Sequence, residues 1–276
     1  MSDVVWYPNQ IDGRSNIASA RRLGARIVTT YLDLIAYDIP RYHASAEAWR
    51  AYRALQRRIA LSVDGITAIS ADVAERLLTE VPRLEPERVL ALPLGLDHIP
   101  LDAVPEEPGD DLEALVKSLG GKRFVAVLGN DFQHKNRDFA IRVWQRALQE
   151  GQPCDLVLAG LHVKSSSSKK EEDDLVARHL DLRGRIHTVG HVSSQSRAWL
   201  LSHATVVLYP TSAEGFGFVP YEAAALGTPA VFTDFGPLKE IAALTDLPRS
   251  WSIDAHATDL VSLLVDQGAR DRRVLG

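Results

Sequence analysis

A chain of 276 residues has the length of about two domains, and its 46% apolar content is enough to bury a sizeable core. A net charge of −5 excludes a surface built for nucleic acid, and a single cysteine, Cys154, excludes a disulfide framework and fits a reducing compartment. No apolar run approaches the ~20 residues that cross a bilayer, and the opening "MSDVVWYPNQ" lacks the regions of a signal peptide, so a cytoplasmic location is expected.

Apolar runs alternate with helical patterns from end to end. "DVVWYP" and "ARIVTTYLDL" read as strands, and residues 45–63 as a helix with Trp49, Tyr52, Leu55, Ile59 and Val63 near one face. "GITAIS" is a short strand, after which Ser70 has the place of an N-cap for "ADVAERLLTE", closed by Pro82. "RVLALPLGLD" reads as a strand, and the Pro- and acid-rich "HIPLDAVPEEPGDD" as linker. The strands "RFVAVLG", "CDLVLAG", "RIHTVG", "TVVLYP" and "PAVFTD" follow. Between and after them come the helices "NRDFAIRVWQRALQE", "EEDDLVARHLDL", "SQSRAWLLSHA", "VPYEAAALG" and "PLKEIAAL". A weak strand around Trp251 and a helix over 256–267 finish the series. The βα repetition predicts an α/β fold of parallel sheets with helices on both faces and a ligand site at the carboxyl ends of the strands. Residues 1–100 read as one domain, 101–120 as linker and 121–276 as a second domain.

Two surface features are expected to be bland. "VKSSSSKKEEDD" reads as a mobile loop. Arg50, Arg53, Arg57 and Arg58 read as a solvated helix face, with peripheral contact to anionic lipid at the inner face of a membrane as the other reading.

Candidate chemistry concentrates in two stretches. In "EGFGFVPYE", residues 214–222, a strand end hands over to a helix beginning near Phe218. Gly215 and Gly217 let backbone approach a ligand, and the helix start directs N–H groups and a positive dipole end at an anion. Glu222, a turn inside, can accept hydrogen bonds from a vicinal diol such as a ribose, and Glu214 from hydroxyls of a second ring. In "VLGNDFQHKN", residues 127–136, Lys135 leaves another strand end and can neutralise a phosphate. His134 beside it is expected to be a neutral surface histidine.

These residues carry a resemblance. "EGFGFVPYE" is similar to the E-x7-E motif of retaining glycosyltransferases of family 4, and "LGNDFQHKN" to that family's phosphate loop. "GTPAVFTDFGPLKEI", "GHVSSQSRAWLLSHATVVLYPTSAEG", "ITAISADVAERL" and "VLALPLGLD" resemble further stretches of it. The resemblance implies a GT-B fold of two Rossmann-like domains, the first incomplete, and transfer of a hexose, mannose-type first, with retained configuration. The donor would be a nucleotide-sugar such as GDP-mannose or a UDP-sugar, and the acceptor a carbohydrate, lipid-linked or small molecule. No metal and no further cofactor are expected. By the resemblance Lys135 and Glu214 are the catalytic residues. Gly129, Asn130, Lys135, Val192, Glu214, Gly215, Phe216, Gly217, Phe218 and Glu222 hold the donor: Glu222 the ribose, Glu214 a sugar hydroxyl, Lys135 and the amides of 215–218 the diphosphate, and Val192 the base.

The sequence departs from the family pattern where Asn130 replaces an arginine and Leu32 a histidine before Asp33. The first half reads as lacking about half of an acceptor domain. Self-association through an open sheet edge and poor transfer by this chain are therefore expected as well. A nucleotide-binding module without transfer is the alternative reading. An epimerase of the same fold would need acids and histidines that the first half does not offer.

Overall fold

The computed structural model describes residues 3–12, 17–99, 104–242 and 252–266. It comprises two units, Met1–Gly95 with Glu214–Phe216, and Leu96–Ala213 with Gly217–Gly276.

In the first unit four parallel strands pair in chain order: β1 (Val4–Tyr7), β2 (Arg26–Tyr31), β3 (Gly65–Ala68) and β4 (Val89–Ala91). The helices are α1 (Ile17–Arg22), α2 (Ile35–Asp38), α3 (Ala46–Ser62) and α4 (Ala71–Glu80). Ser45 and Ser70 cap α3 and α4, their hydroxyls accepting from the Ala48 and Val73 amides. Ile59, Val73 and Leu77 carry the apolar faces of α3 and α4, and Val63 follows α3, into a core with Ile27, Tyr31 and Ile66. β4 is shorter than its apolar run, and its last bond to β3 is from the Leu92 amide to the Ala68 carbonyl at 2.8 Å. Of the four α3 arginines, Arg50 pairs with Glu47, and Arg53 and Arg57 with Glu80, while the Arg53 guanidinium also lies 4.3 Å from the Tyr37 ring centre.

The second unit holds β5 (Phe124–Leu128), β6 (Asp155–Ala159), β7 (Ile186–Val189), β8 (Val206–Tyr209) and β9 (Ala230–Phe232), all parallel, in the order β7-β6-β5-β8-β9. The helices are α5 (Glu113–Leu119), α6 (Arg137–Gln149), α7 (Lys169–Arg178), α8 (Ser194–His203), α9 (Phe218–Ala225), α10 (Leu238–Ala242) and α11 (Ile253–Val265). All five residues of β5 are buried. The two-residue period of the strand sends Phe124, Ala126 and Leu128 into a layer with Leu200 and Val219, and Val125 and Val127 into one with Ile141, Trp144 and Leu260. Each buried Val, Leu, Ile or Phe among them contributes about 1.5–3 kcal/mol of burial.

Several expectations are corrected. α1, α2 and α5 were not anticipated. α11 begins at Ile253 rather than 256, because the Ser252 hydroxyl caps it by accepting from the Ala255 amide. Part of the segment read as linker is fastened to α8. Trp199 Nε1 donates to the Glu106 carbonyl at 3.2 Å, Gln195 Nε2 to the Glu107 carbonyl at 3.2 Å, and Asp111 accepts from the Ser193 amide at 2.7 Å. Trp251 lies outside the described residues. Cys154 directly precedes β6, and burial pushes its thiol up to about 11, so it behaves as an inert core residue.

Candidate functional site

In the second sheet β5, β6 and β7 advance in one direction and β8 returns to the other side of β5. The strand order therefore reverses between β5 and β8, and a crevice at their carboxyl ends is where such sheets bind ligands. Both candidate stretches follow these two strands.

After β5 the chain passes Gly129, makes a 3-10 turn over Gln133–Lys135 and enters α6 through Asn136 in the left-handed region. The loop is bound to the end of β8: Asn136 Nδ2 donates to the Pro210 carbonyl at 2.8 Å, and the Ser212 amide and Thr211 hydroxyl donate to the His134 carbonyl at 2.8 and 3.0 Å. Lys135 Nζ donates to the Tyr209 hydroxyl at 3.0 Å. A Cβ on Gly129 would touch the Lys135 stem, with Cδ at 3.5 Å. Gly160, after β6, crosses this loop so closely that a Cβ there would lie 2.2 Å from the Gly129 carbonyl oxygen, at a φ of +148°. Only glycine meets both demands.

After β8, Gly217 takes φ 97°, ψ 51° and starts α9. That conformation suits glycine, and Pro220 in the first turn sacrifices no intrahelical bond. The first turn of α9 thus presents amides that have no helical acceptor of their own.

Glu222, 1% exposed, has both oxygens engaged by residues that sequence reasoning missed. His98 Nε2 lies 2.7 Å from Oε1, and the Arg197 guanidinium donates to Oε2. The His98 ring also sits edge-on to Phe218, centres 5.0 Å apart. Arg197 is placed by α8, whose N-terminus is doubly capped. The Ser193 hydroxyl accepts from the Ser196 amide, and Asp111 accepts from Ser193 and Ser196. Those donors, Ser196 foremost, hold the Asp111 carboxyl below the usual range.

A second carboxylate organises the neighbouring loop. Asp131, 2% exposed, accepts from the Val163 amide at 2.7 Å and the Ser167 hydroxyl at 2.9 Å, and its Oδ2 lies 2.7 Å from His162 Nδ1. Its carbonyl accepts from the Ser168 amide at 2.7 Å. Burial alone would raise its pKa, but His162, Val163 and Ser167 together bring it below the ordinary value. The serine run expected as a mobile loop is therefore docked, with Ser168 buried and Phe132 bridged to Ser167. His134, expected at the surface, is buried and stacked on Phe132 at 5.5 Å. Arg137 and Glu172 form a buried pair at 3.2 Å behind the loop.

The second unit therefore brings Gly129, Asn130, Lys135, Gly217 and Phe218 to the ends of β5 and β8, with Glu222 one turn into α9. The Asn130 side-chain carbonyl accepts from the Leu161 amide at 2.9 Å. Val192, in the turn before α8, packs against the core layer. Glu214, Gly215 and Phe216 group with the first unit, where the Ser70 hydroxyl that caps α4 donates to the Gly215 carbonyl at 2.7 Å. Among the described residues no cluster of metal-ligating side chains occurs, and no helix is long and apolar enough to cross a membrane.

Parallel α/β sheets, one of them with a helix starting where its strand order reverses, define a doubly wound class of architecture. Residues 113–273 match the family Glycosyl transferases group 1, more than half of the chain, and the protein belongs to that family. It is 24% identical over 257 residues to the O-antigen chain mannosyltransferase B of Escherichia coli, covering 89% of this chain and 63% of that protein. It is 26% identical over 247 residues to the MMP alpha-(1->4)-mannosyltransferase of Mycolicibacterium hassiacum, covering 87% and 55%. The chain thus spans less than two thirds of either relative. Among solved structures it is similar to the UDP-forming alpha,alpha-trehalose-phosphate synthase of Burkholderia xenovorans, with TM-score 0.75, 15% identity and coverage of 99% and 67%. A second is Anabaena HepE in complex with UDP and glucose, with TM-score 0.69, 17% identity and coverage of 99% and 71%. The fold is α/β with two parallel sheets, as in these GT-B neighbours.

Proposed function

We propose that the chain is a retaining family 4 glycosyltransferase that moves a hexose, mannose-type, from a nucleotide-sugar to a glycan, lipid or small-molecule acceptor. The observation that carries the reading is the convergence of Lys135, the start of α9 and Glu222 about the point where the strand order reverses. The mannosyltransferase names of two relatives support the sugar.

In this reading Glu222 takes the ribose hydroxyls, Lys135 and the first amides of α9 take the diphosphate, and Glu214 takes a hydroxyl of the transferred sugar. Glycosyl transfer breaks the bond between the anomeric carbon and the phosphate oxygen, and the electron pair leaves with the diphosphate. The acceptor oxygen bonds to the same face of that carbon, and its proton passes to the departing phosphate. Negative charge grows on the phosphate as the bond stretches, so a fixed cation and a helix dipole aimed there lower the barrier most. Lys135, held between Tyr209 and Gly129, meets this need with little reorganisation. With that charge supplied by protein, transfer is expected to proceed without a metal.

Titration calorimetry with nucleoside diphosphates in the presence of chelator tests the donor site, and NMR of the product's anomeric proton tests the stereochemistry. Glu222→Ala is expected to weaken binding by about 1.5–3 kcal/mol, the worth of charge-assisted hydrogen bonds. Unchanged affinity would remove Glu222 from the site, and binding that requires added magnesium or manganese would refute metal independence. Donor binding without transfer would favour the module reading.

A further inference from the structure

Resting on the donor-site reading above, we propose that Glu222 does not read the ribose alone. Arg197 is the second half of the reader, and His98 holds the place of a hydroxyl that displaces it. The geometry begins with access. The Glu222 side chain is 2% exposed, whereas those of Arg197 and His98 are 31% and 47% exposed. These two side chains satisfy the carboxylate, and a diol reaches it when one of them moves.

The two are held differently. Arg197 sits in the first turns of α8, a helix anchored by Asp111, Ser193 and Ser196. His98 lies in a turn outside any helix or strand, and its ring meets Glu222 and the edge of Phe218. Displacing His98 costs one hydrogen bond and one ring contact, while displacing Arg197 takes a full guanidinium charge off a buried carboxylate. His98 is therefore the residue that yields. Its Nε2 approaches Oε1 as a hydroxyl would.

Arg197 then has a positive role. Among the described residues its guanidinium meets no acceptor besides Glu222, although it carries five N–H donors. A ribose hydroxyl both donates and accepts. A carboxylate alone uses only the donating half, and a planar guanidinium beside it uses the accepting half. The pair matches a vicinal diol on both counts, and removal of one hydroxyl forfeits its charge-assisted hydrogen bonds to the carboxylate and the guanidinium. The substrate class that follows is a ribonucleotide, discriminated from its 2′-deoxy and 3′-deoxy analogues.

The test is calorimetry of the full chain with a ribonucleoside diphosphate and its 2′-deoxy and 3′-deoxy counterparts. The proteins are the unmodified chain, Arg197→Met, Arg197→Lys and His98→Ala. The unmodified chain is expected to prefer the ribonucleotide over at least one deoxy form by ten-fold or more. Arg197→Met is expected to lose most of that preference by weakening the ribonucleotide about ten-fold and the deoxy form less than two-fold. Arg197→Lys keeps the charge but not the planar fork, and serves should the methionine variant melt early; it too is expected to discriminate poorly. His98→Ala is expected to bind the ribonucleotide as tightly as the unmodified chain or more tightly. Equal loss for ribo and deoxy forms in the Arg197 variants, or unchanged discrimination, would overturn the role of Arg197. A loss of ribonucleotide affinity in His98→Ala would overturn the place-holder role. Failure of the unmodified chain to bind any nucleoside diphosphate would instead overturn the donor-site reading, and this proposal with it.

Discussion

Asp131→Ala removes one carboxylate from three partners, at 2.7 Å from His162 Nδ1, 2.7 Å from the Val163 amide and 2.9 Å from the Ser167 hydroxyl. The His162 side chain is 63% exposed and contributes little. The other two are hydrogen bonds to a buried charge, about 1.5–3 kcal/mol each, offset in part because the released groups reach water. A net loss of about 2–4 kcal/mol is expected, a large share of a domain's ordinary margin. The loss is local as well as global. With the clasp gone, residues 161–168 part from the Lys135 loop, and trypsin should cut at Lys164, Lys169 and Lys170 before the chain unfolds. Urea denaturation followed by fluorescence measures the first effect and timed proteolysis the second. The sign with pH is fixed too. The folded-state value lies below the ordinary 3.8, so the contribution is present above that value and lost as pH falls through the folded one. The alanine variant should lack this acid-dependent part. A stability within about 0.5 kcal/mol of the unmodified chain, the range of an ordinary surface change, with unaltered proteolysis, would refute the clasp.

Other expectations are simpler to state. Lys135→Ala should depress turnover more than donor binding, since its charge matters most as phosphate departs; equal losses in a donor-hydrolysis assay would reduce it to a positioning residue. Gly160→Ala should cost about 3 kcal/mol or more, because the new Cβ meets the Gly129 carbonyl at 2.2 Å in a backbone region alien to alanine; a near-normal melting temperature would show that the loops separate easily. His256 is fully buried, and burial holds it below its ordinary 6.5. It therefore makes stability rise with pH between the depressed value and 6.5, fully present above. His256→Gln should flatten that part of the melting profile, and an identical slope would contradict it.

What the sequence made legible follows the range of the forces involved. The buried strands β5, β6 and β8 announce themselves as unbroken apolar runs, and Ser70 as a hydroxyl just ahead of an amphipathic stretch. Each is a signal within ten residues. The positions of Glu222 and Lys135 beyond two strand ends were readable because glycines and strand ends frame them locally. The residues that complete their surroundings were not. His98 meets Glu222 across 124 positions and Asp131 meets Ser167 across 36, so no periodicity links them. The serine run looked loose because its partners lie elsewhere in the chain. His134 looked exposed because a polar stretch flanks it, and its burial comes from folding back under Thr211. α1 escaped notice for another reason: none of its residues is buried, so no apolar stripe marks it.

The second sheet, with an apolar layer on each face, sets how this part of the chain can drift. Leu158 shares its layer with Ala140 and Ala147, while Leu200 belongs to the layer on the opposite face. Space opened by shortening Leu158 can be refilled by enlarging Ala140 or Ala147, but a change at Leu200 is screened from it by the sheet backbone. Compensating substitutions should therefore travel in two separate lineages, one per face. The record of change among relatives should then split along the alternation of β5, with 125 and 127 keeping company with α6 and α11, and 124, 126 and 128 with α8 and α9.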